Sequence, residues 1–194
     1  MRGHTPTEGR VDEAGDVADP RAARLAGALA AHAPRDDREA RALARILEAL
    51  SRLERPFDEA AGPVHVTASA MVLGPRGVLL HRHKRLGLWL QPGGHVDPGE
   101  EPATAARREA AEETGLAIGE PVGGAAIVHV DVHPGGRGHT HLDIRYRFTA
   151  EDAEPAPPPG ESQEVAWFGW AEAAAVADAG LATALSAVRP PAGT

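Results

Sequence analysis

Glu109, Glu112 and Glu113 stand at i, i+3 and i+4 within a run of good helix formers from Ala103 to Glu113. At about 100° per residue the three carboxylates share one helix face. Pro102 suits the first helical turn and Gly115 the C-terminal cap, while Ala103, Ala106 and Ala110 form a neighbouring apolar stripe that can lie on a sheet. Three like charges on one face repel each other at neutral pH, and helix stability gains nothing from that. A divalent cation resolves the conflict. An all-oxygen donor set suits Mg²⁺, or Mn²⁺ in its place, rather than zinc, which prefers His and Cys. The competing reading is a solvated acidic face, and an isolated E-x-x-E-E would be read that way.

The surrounding spacing changes the odds. From Gly94 to Leu116 the chain reads G-x5-E-x7-R-E-A-x-E-E-x-G-L, with Ala110 and Leu116 in two aliphatic slots. It resembles the Nudix box at every specified position, a pattern far more specific than a lone glycine motif. The resemblance implies a Nudix-type α/β/α sandwich with a mixed sheet, an α/β fold running from about Val64 to the C-terminal helices. It also implies hydrolysis of a nucleoside diphosphate linked to another moiety, by water attack on a pyrophosphate phosphorus. Glu109, Glu112 and Glu113 would then be metal ligands, joined by the backbone carbonyl of Gly94. Gly93 and Gly94 let the backbone approach metal and phosphate closely. Arg108 and Glu100 are expected to form an orienting ion pair that ties loop to helix. Glu109 serves as general base in some family members and a glutamate from a later loop in others. Here Glu161 and Glu164 are the later candidates, each also readable as a solvated acid, with Asp143 a weaker third.

Such a substrate is densely anionic and the chain carries a net charge of −8, so metal must neutralise phosphate charge. Lys84 and Arg85, close before Gly93, are natural cationic phosphate contacts or else a solvated hairpin tip. His81 and His83 alternate along one strand and His139 and His141 along another, so each pair projects to one side. Ordinary strand surface, a zinc site and substrate contact are the alternatives, with His141 taken as the substrate-binding candidate. Trp89 reads as core beneath the loop. Nothing after Leu116 matches the patterns of NADH, coenzyme A or diadenosine polyphosphate hydrolases. The resemblance thus gives a reaction class without a substrate, led by nucleotide sugars, ADP-ribose and noncanonical nucleoside triphosphates. A catalytically silent Nudix-fold nucleotide-sensing or regulatory module is the alternative, and the intact glutamate set argues against it.

The rest of the 194 residues must position these groups. Residues 1–20 are polar and acidic, without the apolar core of a signal peptide, and read as a disordered lead. Residues 21–57 read as an N-terminal helical segment: Arg21 to Ala33, then a helix capped by Asp36 or Asp37 and running to about Leu53. Its stripe of Leu43, Ile46, Leu47, Leu50 and Leu53 serves either a dimer or substrate-covering surface, or a hairpin packed on the domain. Residues 58–194 form the hydrolase domain. Strands are expected at Val64–Leu73, Val78–His81, Gly87–Gln91, Ala125–Val132, Leu142–Thr149 and Glu164–Trp170, followed by helices at Ala171–Ala179 and Leu181–Val188. The acidic balance argues against nucleic acid and anionic membranes as partners. Zero cysteines fit a cytoplasmic protein, and no run is long enough to span a membrane. A small-molecule nucleotide-type substrate is the expected partner, with a homodimer allowed by the helical pair.

Overall fold

The apolar run before the first Gly-Pro turn becomes the centre of the fold. A computed structural model describes residues 19–190, and in it β1 (Val64–Gly74) lies in the middle of a mixed, seven-stranded sheet. It pairs in parallel with β6 (Thr140–Thr149) in continuous register from Val64–Thr140 to Leu73–Thr149. β5 (Ile127–Pro134) adds antiparallel to the far side of β6. On its other side β1 divides its partners. Leu73 and Gly74 pair with β2 (Gly77–Arg82), whereas Thr67, Ala68 and Ser69 pair with His95, Gly94 and Gly93 of β4 (Gly93–His95). β2 in turn carries β3 (Trp89–Leu90) and β7 (Val165–Phe168). This division places the start of the glycine-rich loop inside the sheet, against its central strand. A Gly-Gly-His strand has neither β propensity nor an apolar pattern, so the sequence did not announce β4.

Side chains alternate across β1. Val66, Ala68, Ala70 and Val72 pack into a core with α1 (Pro20–Ala30), α2 (Asp37–Arg52) and α3 (Pro102–Thr114). Met71 joins Leu80, Leu181 and Leu185 in a second core beneath α4 (Trp170–Val176) and α5 (Ala179–Val188). The architecture is the expected α/β/α sandwich. Several boundaries move. The first helix ends at Ala30, the Gly87–Gln91 strand shrinks to Trp89–Leu90, and the Ala125–Val132 strand runs instead from Ile127 to Pro134. β6 begins at Thr140, Trp170 opens α4 (ending at Val176) instead of ending β7, and α5 begins at Ala179.

The N-terminal helices pack on the domain. Leu25, Leu29, Ile46 and Leu50 are buried in the main core, with Leu43 and Leu47 partly buried beside them. Asp19 caps α1 by accepting from the Arg21 N–H, and Asp36 caps α2 by accepting from the Glu39 N–H. Residues 1–18 of the expected lead lie outside the described residues, while Asp19 and Pro20 already belong to the start of α1. Glu39 is 1% exposed yet fully engaged. Its carboxylate accepts from the Arg35 N–H at 2.7 Å and the Val130 N–H at 3.1 Å, and lies 2.7 Å from Nε2 of His32. Burial acts to raise its pKa, but these partners outweigh it and hold the carboxyl below its ordinary value. Among the described residues no helix is long and apolar enough to cross a membrane.

Candidate active site

α3 carries the acidic face, and β4 supplies the backbone it faces. Ala105, Ala106 and Ala110 are buried against the sheet, which turns Glu109 and Glu113 toward the Gly93–Gly94 backbone. A β-carbon on Gly94 would fall 2.5 Å from the Glu109 carboxyl carbon, and one on Gly93 would fall 2.6 Å from the Ala68 carbonyl oxygen. At Gly93 the clash is with backbone and only glycine fits, whereas at Gly94 a side chain would have to push the Glu109 carboxylate aside. Glu113 accepts from the Gly93 N–H at 2.9 Å, and its other oxygen lies 3.6 Å from Nδ1 of His81. Glu112 completes the face at 57% side-chain exposure.

The electrostatics follow from this crowding. Burial pushes Glu113 up to about 8, helped by the charges of Glu109, Glu161 and Glu112 and opposed by the Gly93 N–H. Burial also raises Glu109, against the pull of Arg108. His81 is pushed down to about 4 by burial and by His83. Two half-buried acids whose charged forms are disfavoured thus face one glycine backbone beside an imidazole, an arrangement of oxygen donors that a cation would favour.

Arg108 organises the loop. Its guanidinium donates to Glu100 at 3.0 and 3.2 Å, to Glu109 at 2.8 Å and to the His95 carbonyl at 3.0 Å, with Glu112 at 3.4 Å. One planar fork thus joins both ends of the box. These partners raise the pKa of Arg108 above its ordinary value, led by the Glu100 hydrogen bond.

The other sequence candidates fall in different surroundings. Glu164, at the mouth of β7, is exposed and paired with Arg82 at 3.0 Å. Glu161 is partly buried, and its charge reaches Glu113. Asp143 is fully enclosed: Arg145 Nε donates at 2.9 Å and the Ser69 hydroxyl at 2.7 Å. Burial acts to raise it, but Arg145, His133 and Ser69 prevail and keep it below the usual carboxylate range. It has no free oxygen turned toward α3, since Thr67, Ser69 and Asp143 lie on the opposite face of the sheet. Lys84 and Arg85 are exposed on the turn between β2 and β3, with the Arg85 guanidinium reaching over Gly136. Trp89 packs edge-on to Phe168 at 4.8 Å in the second core. The two histidine pairs part company. His81 and His83 stay together, 6.3 Å apart, on the α3 side. His141 instead joins His65 and His95, two residues that sequence reasoning passed over. The one signal for His65 was a polar residue beginning an otherwise apolar strand.

Comparison with known proteins gives this arrangement a family. The NUDIX domain family matches residues 63–187. An RNA pyrophosphohydrolase of Brucella ovis is 31% identical over 120 residues, covering 54% of this chain and 67% of that protein. One from Agrobacterium fabrum is 30% identical over 131 residues, covering 59% and 77%. Among solved structures, a NUDIX family hydrolase from Clostridium perfringens superposes with a TM-score of 0.55 at 28% identity, over 63% of this chain and 95% of that one. A MutT NUDIX hydrolase from Burkholderia pseudomallei gives 0.53 at 27% identity, over 64% and 97%. The convergence of Glu109 and Glu113 on the Gly93–Gly94 backbone, together with these likenesses, places the chain in the Nudix family, as a hydrolase of pyrophosphate bonds.

Proposed function

We propose that the protein is a Mg²⁺-dependent hydrolase of a small nucleoside diphosphate derivative, with Mn²⁺ able to replace Mg²⁺. The observation that carries this is the convergence of the Glu109 and Glu113 carboxylates on the Gly93–Gly94 backbone, with Glu112 on the same helix face. Glu109, Glu112, Glu113 and the Gly94 carbonyl would hold the cation. The donor set fits a hard ion, because it is all oxygen and because burial, helped by the neighbouring acids Glu109, Glu161 and Glu112, pushes Glu113 up to about 8, a cost that a bound cation would offset. When bound, the cation neutralises phosphate charge and polarises the phosphorus toward attack.

The remaining work belongs to the protein's own residues. Arg108 and Glu100 fix the loop so that Glu109 keeps its place over Gly94. Water attacks one phosphorus, the bridging P–O bond breaks, and the two phosphate products separate. The water proton passes to Glu109 or to Glu161, the later-loop acid whose charge reaches the site. Glu164 is the third choice, because Arg82 already holds it. Lys84 and Arg85, both exposed beside the loop, would receive the distal phosphate or its substituent.

A net charge of −8 favours a small substrate over a polynucleotide, and a cytoplasmic setting accords with such a substrate. The test is a product screen with Mg²⁺ over ADP-ribose, nucleotide sugars, noncanonical nucleoside triphosphates and a 5′-triphosphorylated oligoribonucleotide, using Glu112→Gln as control. The last compound is included because the bacterial relatives are named RNA pyrophosphohydrolases. Turnover of at least one small compound, lost in the variant, is the expected result. Equal inactivity of folded wild type and variant on all of them overturns the hydrolase reading, and turnover of the oligonucleotide alone overturns the small-substrate reading.

A further inference from the structure

Strand pairing assembles a second cluster on the sheet face opposite α3. His65 and His141 are direct cross-strand partners on β1 and β6, and His95 on β4 pairs with Thr67, two residues along β1 from His65. One nitrogen from each of the three rings lies within 4.8 Å of the others. Ring centroids are 5.0 Å apart for His65–His95, 5.1 Å for His65–His141 and 5.5 Å for His95–His141. His139 stands edge-on to His65 at 5.2 Å, and His133 flanks His141 at 5.4 Å.

The decisive residue is His65. It is 0% exposed, and neither ring nitrogen makes a well-formed hydrogen bond, although the Gly62 backbone lies near enough to act against the effect of burial. Buried polar atoms in folded proteins nearly always have partners, and so poorly satisfied a ring within a cluster of imidazoles needs an explanation. A hydrophobic side chain would fill the position better if nothing were bound there. We propose that His65, His95 and His141 bind a first-row transition-metal ion of the Zn²⁺ type, at a site distinct from the carboxylate face of α3.

Three further observations support the assignment. Imidazole nitrogens select Zn²⁺ over Mg²⁺, so the two sites do not compete for the same ion. Zinc–nitrogen bonds of about 2.0–2.1 Å place tetrahedral ligand atoms roughly 3.3 Å apart, within reach of small ring rotations from the arrangement seen. The Glu59 carboxylate lies 3.3 Å from Nε2 of His95, where a ligating imidazole commonly has an orienting acid. Three protein ligands leave a fourth position open to water or another small ligand. Because His95 follows Gly94 directly, an ion here would pin the first residues of the catalytic loop to the openings of β1 and β6.

Chelator-treated full-length protein titrated with Zn²⁺, and with Co²⁺ as a spectroscopic probe, tests the site in the absence of any substrate. One tight equivalent per chain is expected, with visible Co²⁺ absorption of tetrahedral strength and a raised thermal midpoint. Glu112→Gln should bind unchanged, which separates this site from the hydrolytic one. His95→Ala and His141→Ala should each weaken binding at least 100-fold. Both are partly exposed, so they avoid the folding risk of replacing His65. No binding by wild type, or unchanged binding by both folded histidine variants, overturns the proposal.

Discussion

The Glu109 carboxyl carbon lies 2.5 Å from the point that a β-carbon on Gly94 would occupy. The acid that heads the acidic face of α3 and the glycine that opens the box are therefore one packing unit. A methyl group at 94 must displace the Glu109 carboxylate by about an ångström, a misplacement that costs on the order of 100-fold in rate. Gly94→Ala should lose about that factor in kcat while keeping its fold, as read by circular dichroism and steady-state kinetics together. Wild-type kcat in the variant would show that Glu109 does not need this seat.

Arg108→Lys keeps the charge but loses the fork that reaches Glu100, Glu109 and the His95 carbonyl at once. Urea unfolding should register a loss of about 2 kcal/mol, the scale of hydrogen bonds to charged groups. kcat should fall as well, because Glu109 and the loop are no longer held by one group. A variant with normal stability and normal kcat would reduce the fork to surface decoration.

Glu39→Ala removes one buried carboxylate and strands the Arg35 and Val130 N–H groups. Unpairing such groups in the interior destabilises by roughly 3 kcal/mol. Denaturant midpoints should drop accordingly, while kcat measured well below the melting transition stays near wild type, since Glu39 bonds to His32, Arg35, Asp36 and Val130 and to no residue of the acidic face. A drop in kcat equal to that of Glu112→Gln would instead tie the N-terminal helices to catalysis.

Stability should rise with pH between about 4 and 6.5. Burial, with the nearby Arg145 charge, pushes His129 down to about 4 in the folded protein, outweighing Glu39, Asp131 and Asp143. The unfolded chain takes up a proton near 6.5, so within this window the unfolded state binds more protons and acid favours it. The full shift corresponds to about 3 kcal/mol. Glu113, held up to about 8 in the folded protein, titrates with the opposite sign. Urea melts at several pH values should therefore show a rise to about 6.5, to which His81 and His141 add, then a fall toward about 8, with the rise shallower in His129→Gln. An unchanged slope in the variant would assign the effect to other groups, with His81 and His141, both also pushed down to about 4, the first to examine.

The box helix was legible because its signal is local: the i, i+3, i+4 glutamates and their glycine and proline flanks need no tertiary knowledge. The apolar alternation around β1 and the Asp36 cap were legible for the same reason. What the sequence concealed depends on strand pairing. His65 and His141 are far apart in the chain and meet only through the parallel register of β1 and β6, while His95 arrives through β4, a strand without strand-like residues. The apparent His81/His83 and His139/His141 symmetry dissolves because the two pairs end on opposite faces of the sheet. Glu39 stands in line with Ala42, Ile46 and Leu50 on the buried face of α2, but the backbone N–H of β5 that satisfies its carboxylate is brought there only by tertiary packing.

β5 is the outermost strand on its side of the sheet, and an outermost strand exposes a row of unpaired backbone donors that invites another chain to add on. Here two of those donors are occupied: the Val130 N–H by the Glu39 carboxylate and the Val132 N–H by the side chain of Asp131. Glu39 and Asp131 thus act as negatively charged stoppers on the sheet's open rim. Through Glu39, the helical segment ahead of the family domain consequently covers part of the edge at which another strand could add.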